Sequence, residues 1–171
     1  MKIEPLTADA GPDQLAAARA LLGEYRDYAA TAAGPGFGMA KLEREIAELP
    51  DSHLTPGSGL LIAWVDDQPA GCLVIRPLPE ALPEHAIELK RLWVREAVRV
   101  RGVAGALVAA AIAEARARGC TAIYLDTEPE RMPAAVRLYR RLGFLECPLY
   151  KPSDPGVAAF RLALAGADGA A

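Results

Sequence analysis

Two arginines and a run of small residues carry the strongest chemical signal in the sequence. Arg99 and Arg101 stand just before Gly102-Val103-Ala104-Gly105-Ala106, and from Val103 onward apolar residues at 103, 107, 110, 111 and 115 follow a helical period. The small residues therefore open a helix. Such an end presents unpaired backbone N–H groups and roughly half a positive charge, and small side chains let an anion come close to them. With arginines beside it, this is a seat for a pyrophosphate. The same residues also read as a basic turn ahead of an alanine-rich core helix, and on this pattern alone the two readings stand level.

The elements that must position this turn follow from periodicity. Ile87, Leu89, Leu92, Trp93 and Val94 make the preceding stretch a largely buried strand, so residues 86–107 form a strand, a turn and a helix. Upstream, Ile3 to Leu6 forms a short strand. A helix starts near Asp9 to Asp13 and runs to about Ala30, and a second runs from about Ala40 to Leu49. Between them Gly34-Pro35-Gly36-Phe37-Gly38 breaks regular structure, as an inert linker or a lid hinge. Leu60 to Val65 and Ala70 to Arg76 pair as a hairpin, and a proline-rich segment, Pro77 to Pro83, leads to the central strand. The helix after the arginine turn ends near Arg118 with Gly119 as its stop. A strand at Thr121 to Asp126, a helix at Pro133 to Leu142 and strands at Phe144 to Cys147 and Val157 to Leu164 complete the pattern. Residues 1–165 are expected to form one domain and 166–171 a disordered tail.

Composition narrows the function classes. The 171 residues suit one domain with a substantial core, and a net charge of −3 argues against a general nucleic-acid binder. No apolar run approaches the ~20 residues needed to cross a membrane. The first residues begin no signal peptide, so a cytoplasmic location without membrane partners is expected. Cys72, Cys120 and Cys147 are too few and too scattered for a disulfide framework or a metal site, and no metal is expected. His53 and His85 are isolated and read as surface or loop histidines.

Three stretches resemble one known family. Arg99-Val100-Arg101-Gly102-Val103-Ala104 is similar to the R-x-x-G-x-G/A motif of the GNAT superfamily of acyl-CoA N-acyltransferases. Glu88-Leu89-Lys90-Arg91-Leu92-Trp93-Val94 resembles that family's fourth strand, and Leu138-Tyr139-Arg140-Arg141-Leu142-Gly143-Phe144 its L-Y-x-x-x-G-F motif. The likeness covers about residues 2 to 165. It implies an α/β fold with a mixed central sheet flanked by helices on both faces, in which the fourth and fifth strands splay apart. Acetyl-CoA is the implied cosubstrate. Its pantetheine would lie along the main chain of Leu92, Trp93 and Val94, and its pyrophosphate on the amides of Val100, Arg101, Gly102, Val103, Ala104 and Gly105, with Arg99 beside them.

The resemblance also implies roles. Tyr139 matches the tyrosine that protonates the leaving thiolate, and Glu88 stands where the histone-modifying branch carries its general base. Strand glutamates followed by Lys90 and Arg91 also commonly form structural ion pairs, and that reading of Glu88 stays open. A base matters most for a lysine-type acceptor, whose deprotonation at pH 7 costs about 4.6 kcal/mol, against about 1.1 for an α-amine. A backbone N–H near Trp93 or Val94 would hold the oxyanion. Tyr25 and Tyr28 lie in the helical region that the family places over its acceptor. Met132 stands where many members carry asparagine, Val100 where glycine is frequent, and Ala104 where a second glycine is. The expected activity is acetyl transfer to a primary amine of a small molecule or peptide. A non-catalytic acyl-CoA-binding sensor or scaffold is the alternative. A dinucleotide-binding domain is disfavoured because G-x-G-x-x-G is absent. Similar proteins are commonly homodimers, so a homodimer is also among the expectations.

Overall fold

The computed structural model describes residues 1–33, 39–78 and 84–164. The glycine-rich break at 34–38, the 79–83 part of the proline-rich segment and the 166–171 tail lie outside them. In chain order the elements are β1 (Lys2–Pro5), α1 (Pro12–Ala33), α2 (Met39–Ala47), β2 (Gly59–Val65), β3 (Gln68–Pro77), β4 (Ala86–Val94), α3 (Val103–Ala117), β5 (Ala122–Thr127), α4 (Pro133–Arg141), β6 (Leu145–Cys147) and β7 (Ala158–Ala163). The arginine turn, expected as irregular chain, is a 3-10 helix over Glu96–Arg101, and a second spans Asp51–His53.

One sheet of order β1-β2-β3-β4-β5-β7-β6 holds the seven strands, with β4 and β5 parallel and the other pairs antiparallel. Strand alternation sends Leu73, Ile75, Ile87 and Leu89 to one face, where they pack with Val103, Leu107 and Ala111 of α3 and with Val136 of α4. Leu60, Ile62, Cys72 and Val74 face the other way, onto Ala18, Leu21 and Leu22 of α1. Burying a side chain such as Leu107, fully hidden from solvent, contributes about 2 kcal/mol. The helices thus cover both faces. Glycines end α3 and α4: Gly119 and Gly143 have φ of 72° and 89°, and Cys120 and Phe144 donate back to Ala115 and Tyr139. That bond fixes the spacing between Tyr139 and the glycine and phenylalanine of its motif.

Two departures from regular pairing shape the middle of the sheet. The β4–β5 ladder contains only Ala86↔Ala122, Ile87↔Ile123 and Glu88↔Tyr124, after which the two strands part. Between Cys72 and Val74, β3 advances two residues while β4 advances three, and the extra residue leaves Arg91 at φ 54°. This is a bulge on the strand that borders the opening, and it re-aims the residues beyond it. Gly71 permits the approach there, because a Cβ at that position would lie 2.5 Å from the Trp93 carbonyl oxygen.

His53 is a correction to the sequence reading. It is fully buried, its Nδ1 is 2.8 Å from the Ser52 hydroxyl, and its Nε2 has no partner among the described residues. Burial, reinforced by the Arg76 guanidinium and only partly opposed by Glu45, lowers its pKa from 6.5 to about 4. A polar loop in the sequence hides this because the charged groups that act on it come from α2, β3 and β4.

Replacing Gly71 by alanine is expected to destabilise the fold by about 1–3 kcal/mol, since the obstructing atom is backbone. Urea unfolding reads the effect, and a change below about 0.5 kcal/mol contradicts it. His53 gives a pH signature. Between pH 6.5 and 4 the unfolded chain binds a proton that the folded chain does not, so stability falls as pH falls through this window. From pH 6.5 to 5, the wild-type unfolding free energy should drop by about 1.5 kcal/mol more than that of His53→Gln. Equal pH slopes for the two proteins contradict the assignment.

Candidate active site

The opening between β4 and β5 is a cleft of about 740 Å3. It passes through the sheet: Leu138 and Tyr139 of α4 line it on one side, and Tyr25 and Tyr28 of α1 on the other. Leu92, Trp93 and Val94 form its β4 wall, and beyond Glu88 their main chain has no β5 partner. Backbone groups left this way need another hydrogen-bonding partner. At the mouth of the cleft lie Arg99, Gly102, Ala104 and Gly105.

The helix start has the features an anion needs. Gly102 takes φ 75°, a left-handed geometry that suits glycine, and ends the 3-10 helix while opening α3. No side chain caps α3, and its first backbone bond runs from Ala106 to Gly102. The amides of Val103, Ala104 and Gly105 therefore have no partner within α3. Val103 contributes no side chain to the cleft; it is fully buried and pins the helix to the core. Val100 is 95% exposed, and Arg101 pairs with Asp66 in the β2–β3 turn at 2.6 Å. Neither side chain lines the cleft, so any part these three play in anion binding rests on their main chain. Arg99 behaves differently, donating to the Val94 carbonyl at 3.1 Å with its guanidinium 5.2 Å from the Trp93 ring centre.

Trp93 is held from the other side. Its Nε1 donates to Glu24 at 3.0 Å, and Arg95 donates to the same carboxylate at 2.7 Å. Burial tends to raise the Glu24 carboxyl, but bonds from Arg95 and Trp93 outweigh it and hold the group below the ordinary carboxylate range. The end of β4 is thereby tied to α1.

Tyr139 sits in the cleft wall, 8% exposed, with its ring 5.8 Å from that of Phe144. Burial, with Tyr25 and Asp126 adding to it, raises its phenol well above the ordinary value, so the O–H stays protonated at neutral pH. It can donate a proton but cannot act there as a base. Met132 lines the same cleft, its sulfur 3.6 Å from the Thr127 hydroxyl. Thr127 offers polar character beside the position where asparagine is absent.

Glu88 lies elsewhere. It is buried in β4 and lines a second cleft of about 620 Å3, between α2 and the sheet. Tyr150 donates to its Oε1 at 2.6 Å, Lys90 approaches the same oxygen at 3.3 Å, and Lys151 bonds to it as well. Asp126 completes the group, 3.3 Å from Lys90 and 3.0 Å from Lys151. Burial draws the Lys90 ammonium below the ordinary lysine value, against the pull of both carboxylates. Lys90 and Arg91 line both clefts, so the two spaces meet there. Sequence reasoning missed Arg91, Asp126, Thr127 and Arg141 as cleft residues. Arg141, inside the L-Y-x-x-x-G-F stretch, was the one with a readable signal.

Residues 19–144 match the Acetyltransferase (GNAT) family. A curated relative, the acetyltransferase Atu2258 of Agrobacterium fabrum, is 43% identical over 65 residues, covering 38% of this chain and 45% of the relative. The match thus spans less than half of that relative's length. Among solved structures, a GNAT-family acetyltransferase from Staphylococcus aureus has a TM-score of 0.72 at 14% identity, covering 95% of this chain and 99% of the other. The PaiA N-acetyltransferase of Thermoplasma acidophilum, solved with coenzyme A, has a TM-score of 0.69 at 14% identity, covering 96% of this chain and 100% of the other. Those identities speak for the fold, and the family match speaks for kinship. With the splayed strands, the uncapped start of α3 and the tyrosine on α4, the chain belongs to the GNAT acetyltransferase family.

Proposed function

We propose that the protein transfers an acetyl group from acetyl-CoA directly to a primary amine of a small-molecule or peptide acceptor. The observation that carries this reading is the cleft through the sheet where β4 and β5 part, with an uncapped helix start at its mouth and Tyr139 in its wall. The amides from Val100 to Gly105 hold the pyrophosphate, and Arg99 adds charge. The main chain of Leu92, Trp93 and Val94 extends to the amides of pantetheine, as a strand would. This brings the thioester toward Tyr139 and the acceptor toward the α1 and α2 face.

In the reaction, the amine lone pair forms the new C–N bond at the thioester carbonyl. A main-chain N–H near Trp93 or Val94 receives the developing oxyanion. As the C–S bond breaks, the sulfur departs as thiolate and Tyr139 donates a hydrogen bond to it. A phenol above pKa 10 facing a thiol near 8.5 makes complete proton transfer uphill by at least about 2 kcal/mol, unless the same burial raises the thiol. The hydrogen bond supplies most of the help. The amine proton leaves on the acceptor side, and Glu88, in the adjoining cleft, is the carboxylate proposed to receive it, with a water as relay. Among the described residues, every hydrogen bond to Glu88 falls on Oε1, and Oε2 remains the acceptor.

Tyr139→Phe is expected to lower kcat about 10- to 100-fold, while the KM for acetyl-CoA stays within about threefold. Unchanged turnover removes Tyr139 from the chemistry, and tight acetyl-CoA binding without turnover on any amine by the wild type favours the sensor alternative. Glu88→Gln separates base from ion-pair partner. A base is most needed when the acceptor is protonated, so the deficit should be about 100-fold near pH 7 and shrink as pH approaches the acceptor's pKa. A deficit that stays constant with pH assigns Glu88 to the ion-pair network alone.

A further inference from the structure

We infer that the second cleft binds an anionic group of the acceptor, so that the preferred substrate is an amine carrying a carboxylate or phosphate. This rests on the transferase reading and names the class of molecule that reading leaves open. The cleft meets the first at Lys90 and Arg91, on the face of the sheet opposite α3 and α4. Among the described residues, six cationic side chains line it against three carboxylates, in a chain whose net charge is −3.

The surplus is concentrated rather than spread. Glu45 alone serves two guanidiniums, Arg91 at 2.9 Å and Arg76 at 3.5 Å, and all three side chains are at most 18% exposed. One positive charge is therefore unmatched in a place with little water. Arg76 also donates to the Ser52 carbonyl at 2.7 Å, which fixes its fork. His53 lies behind this group and stays neutral near pH 7, so it neither adds to nor cancels the surplus. The neighbouring quartet of Lys90, Lys151, Glu88 and Asp126 is balanced within itself. At the outer rim, Lys41 and Arg44 of α2 are exposed and add positive charge, with Glu48 opposing them.

A planar, partly buried guanidinium pair suits a carboxylate or phosphate through paired hydrogen bonds. The same field disfavours a polyamine, whose further ammonium groups would enter a positive cleft. It also lowers the pKa of an entering ammonium, which eases the deprotonation that attack requires. Recognition and activation of the acceptor thus draw on one set of charges.

The test is a matched panel: amino acids and their primary carboxamides, and phosphoethanolamine with ethanolamine, each assayed with acetyl-CoA. Thermal protection by each compound in the presence of coenzyme A is read alongside. We expect the anionic member of the best pair to show at least a tenfold higher kcat/KM and to protect the protein where its neutral partner does not. Arg76→Gln should abolish most of that preference while leaving the KM for acetyl-CoA unchanged. Arg44→Glu, at an exposed site that leaves the buried pair intact, should raise the KM for the anionic member several-fold if the buried variant does not fold. Neutral members acetylated as well as or better than anionic ones overturn the inference and leave the transferase intact. Protection by anions without turnover on any member sinks the transferase reading and keeps the binding site. Neither protection nor turnover sinks both.

Discussion

The structure depends on an interruption: β4 and β5 share a ladder for three residue pairs and then separate. An unpaired main-chain group in a poorly hydrated cleft costs roughly 1–3 kcal/mol if nothing satisfies it. The fold tolerates this because neighbouring constraints hold the strands apart. The bulge at Arg91 turns the far half of β4, and Gly71 lets β3 follow that turn closely. Glu24 anchors the end of β4 through Trp93 and Arg95. The gap is built, and the main-chain groups it leaves without a β5 partner are open to hydrogen bonds from elsewhere.

Charge is distributed around this gap in a way that assigns direction. The first cleft opens at the uncapped start of α3, where Arg99 and the helix amides favour phosphate. The second cleft opens on the opposite face, where two arginines share one glutamate. Between them, Lys90, Lys151, Glu88 and Asp126 form a nearly buried quartet at the point where the ladder ends. Such a quartet is stable only when complete, since removing one member strands a charge. It stands where the strands separate, and its Lys90 lines both clefts.

Much of the fold was legible because periodicity is a local property. The 86–94 strand and the helix beginning at Val103 stand where alternation and helical spacing put them. So does every other strand and α-helix, within a few residues at its ends, whereas the two 3-10 helices stand where turn and loop were expected. The Tyr139 motif was readable because a helix stop, a buried phenylalanine and the tyrosine lie within six residues and one backbone bond joins them. The bulge was not. Nothing in Lys90-Arg91-Leu92 marks an arginine for φ 54°, because the cause is register against β3. The pairing of Arg76 and Arg91 on Glu45 was equally hidden, since it joins α2, β3 and β4 across more than 40 residues of chain. His53 failed for the same reason: its local sequence is polar, and burial comes from elsewhere. Chemistry that arises within one turn of chain was readable, and chemistry that arises where three elements meet was not.

The central claim is that the parted strands and the start of α3 together hold an acyl carrier. Hydrogen exchange of individual backbone amides, measured with and without coenzyme A, tests it most directly, because it reads the groups said to do the holding. The account expects new protection at Leu92 to Val94 and at Val100 to Gly105, with little change along the β2–β3 hairpin. Protection confined to other segments, or none at saturating coenzyme A, would contradict it.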